Sequence, residues 1–100
     1  MRSLVSLSIL AVCGGPALAH QAPTGWTYPV GCCHNHDCRQ VPADYVREAR
    51  DGWQIVPTGE LVPYTDERVK TSPDGLYHWC SAGGSETGRT ICLYVPPRGV

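Results

Sequence analysis

Short runs of β-forming residues, broken at close intervals by turn signals, set the pattern of this chain from residue 45 onward. The runs are Tyr45–Arg50, Trp53–Val56, Glu60–Tyr64, Leu76–Cys80 and Thr90–Val95. Between them stand Asp51-Gly52, Pro57-Thr58-Gly59, Ser72-Pro73-Asp74-Gly75 and Gly83-Gly84, combinations that turn the backbone. Trp53 to Pro63 predicts a hairpin with Pro57–Gly59 at its tip. Thr90-Ile-Cys-Leu-Tyr-Val suits a pleated surface, and Pro96-Pro97 ends it because proline cannot donate to a ladder. Ala43–Arg50 is ambiguous, since it alternates poorly and Asp44 is placed to cap a helical turn. Frequent Pro and Gly oppose any long helix. The expectation is mainly β: a small single-domain antiparallel fold with few or no long helices.

The first nineteen residues follow another pattern. Met1-Arg2 is a short positive start, Leu4–Val12 is apolar and uncharged, Gly14-Gly15-Pro16 breaks a helix, and Ala17-Leu18-Ala19 is a small-x-small cleavage pattern. The apolar stretch is too short to span a bilayer, so residues 1–19 read as a cleavable secretory signal with His20 as the new N-terminus. Cys13 does not read as a lipoprotein site, because Val12 occupies the place of a small residue. Cleavage of the 100-residue chain leaves 81 residues carrying seven Lys or Arg, nine Asp or Glu and five cysteines. The resulting charge of −2 gives no electrostatic basis for binding nucleic acid or an anionic membrane. Residues 20–25 (HQAPTG) have little to bury and read as a flexible arm, and 26–100 as the domain. A chain this small needs staples, and a periplasmic or secreted location supplies the oxidising environment for them.

Those staples come from Cys32, Cys33, Cys38, Cys80 and Cys92, which admit about fifteen pairings if two bridges form and one thiol is left. Adjacent Cys32 and Cys33 bridge each other only through a strained ring and point to opposite faces of an extended chain. The preferred scheme therefore ties one of them to Cys38 and Cys80 to Cys92 or to the other. The odd cysteine is expected to be buried, or to link two copies as a disulfide dimer. No Cys-x-x-Cys supports a redox catalyst.

The histidines carry the candidate chemistry. Cys32-Cys33-His34-Asn35-His36-Asp37-Cys38 holds His-x-His, and His78-Trp79-Cys80 holds His-x-Cys, spacings that put two ligands on one side of an extended segment. His20, once N-terminal, offers an α-amine and an imidazole to one metal. With a third nitrogen from His34 or His36 it would form a histidine brace, a tetragonal nitrogen site suited to copper. The metal candidates are thus His20, His34, His36 and His78. A zinc held by the cysteines is disfavoured, since its thiolates would have to stay reduced.

Other residues add little. Asp66-Glu67 and Glu48 with Asp51 read as solvated loop charge, no serine lies in a nucleophile motif, and no glycine loop suits a phosphate. Three Trp and five Tyr fit a small core with polar edges, or an exposed binding patch. In order, Trp26-x-Tyr28-Pro29, Cys32-Cys33, Asp37-Cys38, Ser72-Pro73-Asp74-Gly75, His78-x-Cys80, Ile91-Cys92-Leu93 and Pro96-Pro97 resemble a set of small exported bacterial proteins of unknown function. The resemblance implies secretion and a shared cysteine framework, and no activity. Two readings follow for a non-enzymatic exported protein: a metal carrier or chaperone, copper favoured, or a module binding another envelope or secreted protein through an aromatic face or the odd thiol.

Overall fold

The hairpin expected around Pro57–Gly59 forms, and the rest of the fold is built out from it. A computed structural model describes residues 21–33 and 37–97. Its strands are β1 (Cys38–Gln40), β2 (Val46–Glu48), β3 (Gly52–Ile55), β4 (Glu60–Pro63), β5 (Val69–Thr71), β6 (His78–Ser81) and β7 (Thr90–Val95). The β3–β4 turn closes where the N–H groups of Thr58 and Gly59 donate to the Ile55 carbonyl at 3.2 and 2.7 Å. Gly59 sits there at φ 77°, a backbone region other residues resist. At the start of β3, a Cβ on Gly52 would lie 2.4 Å from the Val62 carbonyl oxygen, so only glycine fits.

Ala43–Arg50 resolves into both readings of it: a 3-10 turn at Ala43–Tyr45, then β2. Asp44 does not cap the turn, because Pro42 takes the capping position and no side chain bonds there. Strands β1 and β5 are additions to the expected five.

The strands form a three-stranded sheet, β2-β3-β4, and a four-stranded sheet, β1-β6-β7-β5. Pairing is antiparallel except between β5 and β7. That exception follows from order: β5 and β6 run in opposite directions, and β7 lies between them antiparallel to β6, so it runs with β5. Between the pairs Cys80↔Cys92 and Ser81↔Thr90, β7 carries one extra residue, Ile91, a bulge.

The central strands of the four-stranded sheet, β6 and β7, are buried on both sides. Alternation along β6 and β7 sends Trp79, Leu93 and Val95 to one face, where they pack with Val46, Trp53, Ile55 and Val62 of the smaller sheet. Cys80, Cys92 and Tyr94 go to the other, where Ala22, Tyr28, Cys32 and Cys33 of the N-terminal segment cover them. Residues 21–25, expected as a loose arm, are therefore folded onto the body. Ala22 is 3% exposed and its N–H donates to the Trp26 carbonyl, while Gln21 bridges Thr27. Ala22 packs into the cluster and Thr24 Oγ1 donates to Asp74 Oδ2 at 2.5 Å, so packing and a side-chain bond together hold the segment down. No helix among the described residues is long and apolar enough to cross a membrane.

Candidate functional site

Two bridges cross the N-terminal face. Register sets Cys38 of β1 directly opposite Cys80 of β6, and these two are joined. Cys32, in the turn after Pro29, is joined to Cys92 of β7. The preferred scheme, Cys38 with one of its near neighbours, is thus corrected. Proximity in sequence gives way to strand pairing, because β1 adds to the sheet edge and carries Cys38 to Cys80. Cys33 stands outside both bridges and is fully buried in the same cluster.

Beside the sulfurs lies a polar cluster centred on Asp74. The Ser72-Pro-Asp-Gly turn, with Gly75 at φ 76°, aims its carboxylate inward. Oδ2 accepts from Thr24 Oγ1 at 2.5 Å and Trp26 Nε1 at 2.9 Å; Oδ1 accepts from Ser72 Oγ at 2.7 Å and the Leu76 N–H at 3.0 Å. His78 Nε2 lies 2.9 Å from both oxygens. On the far side of the ring, Tyr28 Oη is 2.8 Å from Nδ1. Burial works against the Asp74 charge, but donation from Thr24, Ser72, His78 and Trp26 outweighs it and holds the carboxyl well below the usual carboxylate range. Burial, with the nearby Asp74 charge, pushes the Tyr28 phenol up, so it stays protonated.

The ionised Asp74 only accepts, so Nε2 carries a proton and donates to it. The Tyr28–His78–Asp74 chain has the order of a catalytic relay, yet Tyr28 and His78 are 0% exposed. Its bonds pin the N-terminal segment, the Ser72–Gly75 turn and β6 together. The aromatic rings tighten this joint, with Trp26 edge-on to Tyr28, His78 and Tyr94 at 4.8, 5.0 and 5.2 Å.

Of the four metal candidates, His20, His34 and His36 lie outside the described residues. His78 is described, and both its ring nitrogens are engaged as above. Among the described residues no group of three or more His, Cys, Asp or Glu is placed to hold a metal. A cleft of about 170 Å³ is lined by Gly31, Cys32, Asp37, Arg89 and Ile91, so its walls include residues from either side of the 33–36 stretch.

Sequence reasoning missed a second network, on the opposite face. Asp66, read as solvated charge, takes three bonds from Arg68: Nε at 3.0, Nη2 at 2.9 and the backbone N–H at 2.8 Å. Those bonds lower the Asp66 carboxyl to about 2. Arg68 Nη1 also reaches Glu60 Oε2 at 3.0 Å. Glu60 Oε1 accepts from the N–H and Oγ1 of Thr90 at 3.0 and 2.7 Å, and Thr90 Oγ1 accepts from Trp79 Nε1 at 2.9 Å. Burial opposes the Glu60 charge, but the bonds from Thr90 and Arg68 lower its carboxyl overall. The network clamps β4 to β7, linking the two sheets. Nothing in the spacing of Glu60, Arg68 and Thr90 signals it.

No family model, curated protein or solved structure matches the chain.

Proposed function

We propose that this is an exported, non-catalytic metal-binding protein whose copper ligands are His20, His34 and His36, acting as a carrier or chaperone in the periplasm or outside the cell. One observation carries the reading. Ala22, two residues after His20, shares a single buried cluster with Cys33 and Cys38, which flank His34 and His36. The chain after His20 and on both sides of His34 and His36 is thereby anchored in one place, which lowers the backbone entropy cost of bringing the three imidazoles together. A cleft is lined by Cys32 and Asp37, residues that precede and follow His34 and His36 in the chain. His78 leaves the ligand set, since Asp74 and Tyr28 already occupy its nitrogens.

The alternative, docking through an aromatic face or the odd thiol, has less support. Tyr28, Trp53, Trp79 and Tyr94 are buried, and Trp26, Tyr45, Tyr64 and Tyr77 are partly buried against the two cores. With three Trp, five Tyr and no Phe in the chain, none of the aromatics is fully exposed. Cys33 is 0% exposed, out of reach of a second copy.

Native mass spectrometry of the exported protein with added Cu(II) tests the proposal. The expected result is one retained copper on a chain beginning at His20, lost in a His34→Ala, His36→Ala variant. No retained copper, or retention unchanged by those substitutions, overturns it.

A further inference from the structure

The two disulfides are closer to each other than a pair of independent staples. Cys38 is opposite Cys80 in β1–β6, and Cys80 is opposite Cys92 in β6–β7, so three half-cystines form a row across the sheet. Cys32 completes the group: Cys38 Sγ lies 3.3 Å from the Cys32 carbonyl oxygen. All four belong to one buried cluster. Four half-cystines admit three pairings. One is observed, Cys32–Cys92 with Cys38–Cys80. A second, Cys32–Cys38 with Cys80–Cys92, joins neighbours throughout. Opposed residues of antiparallel strands have Cα atoms about 4.5–5.5 Å apart, within the span of a disulfide. The third would join Cys38 to Cys92 across β6, two strand spacings or about 9.5 Å, beyond the ~7 Å limit. The register therefore permits Cys80–Cys92 and forbids Cys38–Cys92, and the 3.3 Å approach of Cys38 Sγ to the Cys32 backbone leaves Cys32–Cys38 as the complementary bridge.

We infer that the four half-cystines form an exchange quartet that switches between these two pairings under thiol catalysis. Entry is at Cys32, which is 5% exposed where it lines the cleft shared by Arg89 and Asp37; the Arg89 charge favours an incoming thiolate there and the Asp37 carboxylate opposes it. A thiolate, from a small thiol or a thiol oxidoreductase, attacks Cys32 Sγ. The Cys32–Cys92 bond breaks, leaving a mixed disulfide on Cys32 and a thiolate on Cys92. That thiolate attacks its register partner Cys80, forming Cys80–Cys92 and releasing Cys38 as thiolate. Cys38 then attacks Cys32, forming Cys32–Cys38 and expelling the original thiolate. Two protein disulfides break and two form, the catalyst is regenerated, and no net oxidation occurs. The consequence is structural. The observed pairing ties residues 21–33 and β1 to the sheet, whereas the second closes residues 32–38 on themselves and staples only β6 to β7. The N-terminal cover is then held by the Asp74 cluster and packing alone, and its docking becomes reversible.

Tryptic mapping separates the two forms, because Arg39, Lys70, Arg89 and Arg98 divide the chain between the cysteines. In the observed pairing, the peptide ending at Arg39 is linked to both 71–89 and 90–98, a three-peptide species. In the second, 71–89 is linked to 90–98 alone and the N-terminal peptide keeps one internal bridge. The exported protein is incubated without denaturant in a glutathione redox buffer, quenched with N-ethylmaleimide and digested, with far-UV circular dichroism recorded in parallel. The expected result is that the two-peptide product goes from absent to populated while the sheet signal persists. The inference is overturned if only the three-peptide species is found short of full reduction, or if the new product forms only after the sheet signal is lost.

Discussion

The two faces of the four-stranded sheet are held by different physics. Toward the smaller sheet, Trp79, Leu93 and Val95 meet Trp53, Ile55 and Val62, an apolar core of ordinary kind, fastened at its rim by the Glu60–Arg68–Thr90 network. Toward the N-terminal segment, the contacts are two disulfides and a carboxylate with five donors, with little aliphatic surface between them. The difference follows from what covers each face. A β-sheet presents alternate side chains in a row and buries them by area. An irregular segment such as 21–33 cannot, so it is fixed at points. A covering held at points can be undone at points.

Reduction is the strongest way to break the comparison. The bridges span 60 and 42 residues, and loop closure of that length corresponds to about 4 kcal/mol each. The 38–80 loop lies inside the 32–92 loop, so the two do not simply add. Losing both removes about 7 kcal/mol from a total that for domains is roughly 5–15 kcal/mol. The reduced protein is expected to be unfolded at 25 °C, its apolar face included, despite having no bridge there. Thermal melts with and without a phosphine reductant check this. A reduced chain that still melts cooperatively would mean the two-sheet core stands alone.

Trp79→Ala attacks the other face with the disulfides intact. It empties the largest fully buried side chain, removes a donor to Thr90 and strips the Arg39 guanidinium of the ring it lies over at 4.7 Å. A loss of about 3–5 kcal/mol is expected from urea unfolding. A loss under 1 kcal/mol would show that the bridges, and not burial, set the stability of both faces.

How far the sequence carried varies between the faces in the same way. The apolar face was legible: the hairpin β3–β4 and strand β7 follow from alternation and turn residues, because local pattern and burial agree there. Strands β1 and β5 were not, since Cys38-Arg39-Gln40 and Val69-Lys70-Thr71 are three residues long and owe their pairing to neighbours distant in the chain. For the same reason the sequence does not reveal the cysteine pairing: only the register of β1 on β6 decides that Cys38 meets Cys80. Asp74 was legible as a turn residue, but its role as acceptor for Thr24, Trp26, Ser72 and His78 depends on a fold-back that no spacing encodes.

Asp74 gives the next, smaller effect. Asp74→Ala leaves the donors of Thr24, Trp26, Ser72 and His78 without their acceptor, and a loss of about 3 kcal/mol is expected. The loss should be local. Amide exchange should speed at Ala22 and Gly25, whose N–H groups bond within the N-terminal segment, and stay slow at Leu93 in β7. Equal acceleration at Leu93 would contradict the division into two faces. The wild type also carries a pH signature. The folded Asp74 carboxyl titrates below its unfolded value of about 3.9. Its contribution is therefore full above about pH 4 and is lost as pH falls through the depressed folded value. Asp66, lowered to about 2, and Glu60, also lowered, act in the same direction. Melting temperature should hold down to about pH 4 and then fall, less steeply in Asp74→Asn.

The smallest effects test whether the clamp between the sheets resembles the Asp74 cluster or merely decorates the surface. Asp66 and Glu60 both pair with Arg68, and all three side chains are 22–30% exposed. By ion pairing alone they should be equivalent and weak, about 0.2–1 kcal/mol. Their other bonds differ. Asp66 bonds Arg68 through both side chain and backbone, within one turn. Glu60 reaches across to Thr90, which in turn holds Trp79. Glu60→Gln keeps one oxygen but offers an amide where Thr90 or Arg68 needs an acceptor, and is expected to cost about 1 kcal/mol. Asp66→Asn should cost less than about 0.5 kcal/mol, because it disturbs a single exposed turn. Equal effects of the two substitutions would mean that charge, and not the link from β4 through Thr90 to Trp79, is what the clamp contributes. A larger effect of Glu60→Gln would place the polar rim of the apolar face on the same footing as Asp74: few bonds, each joining segments that packing alone would leave apart.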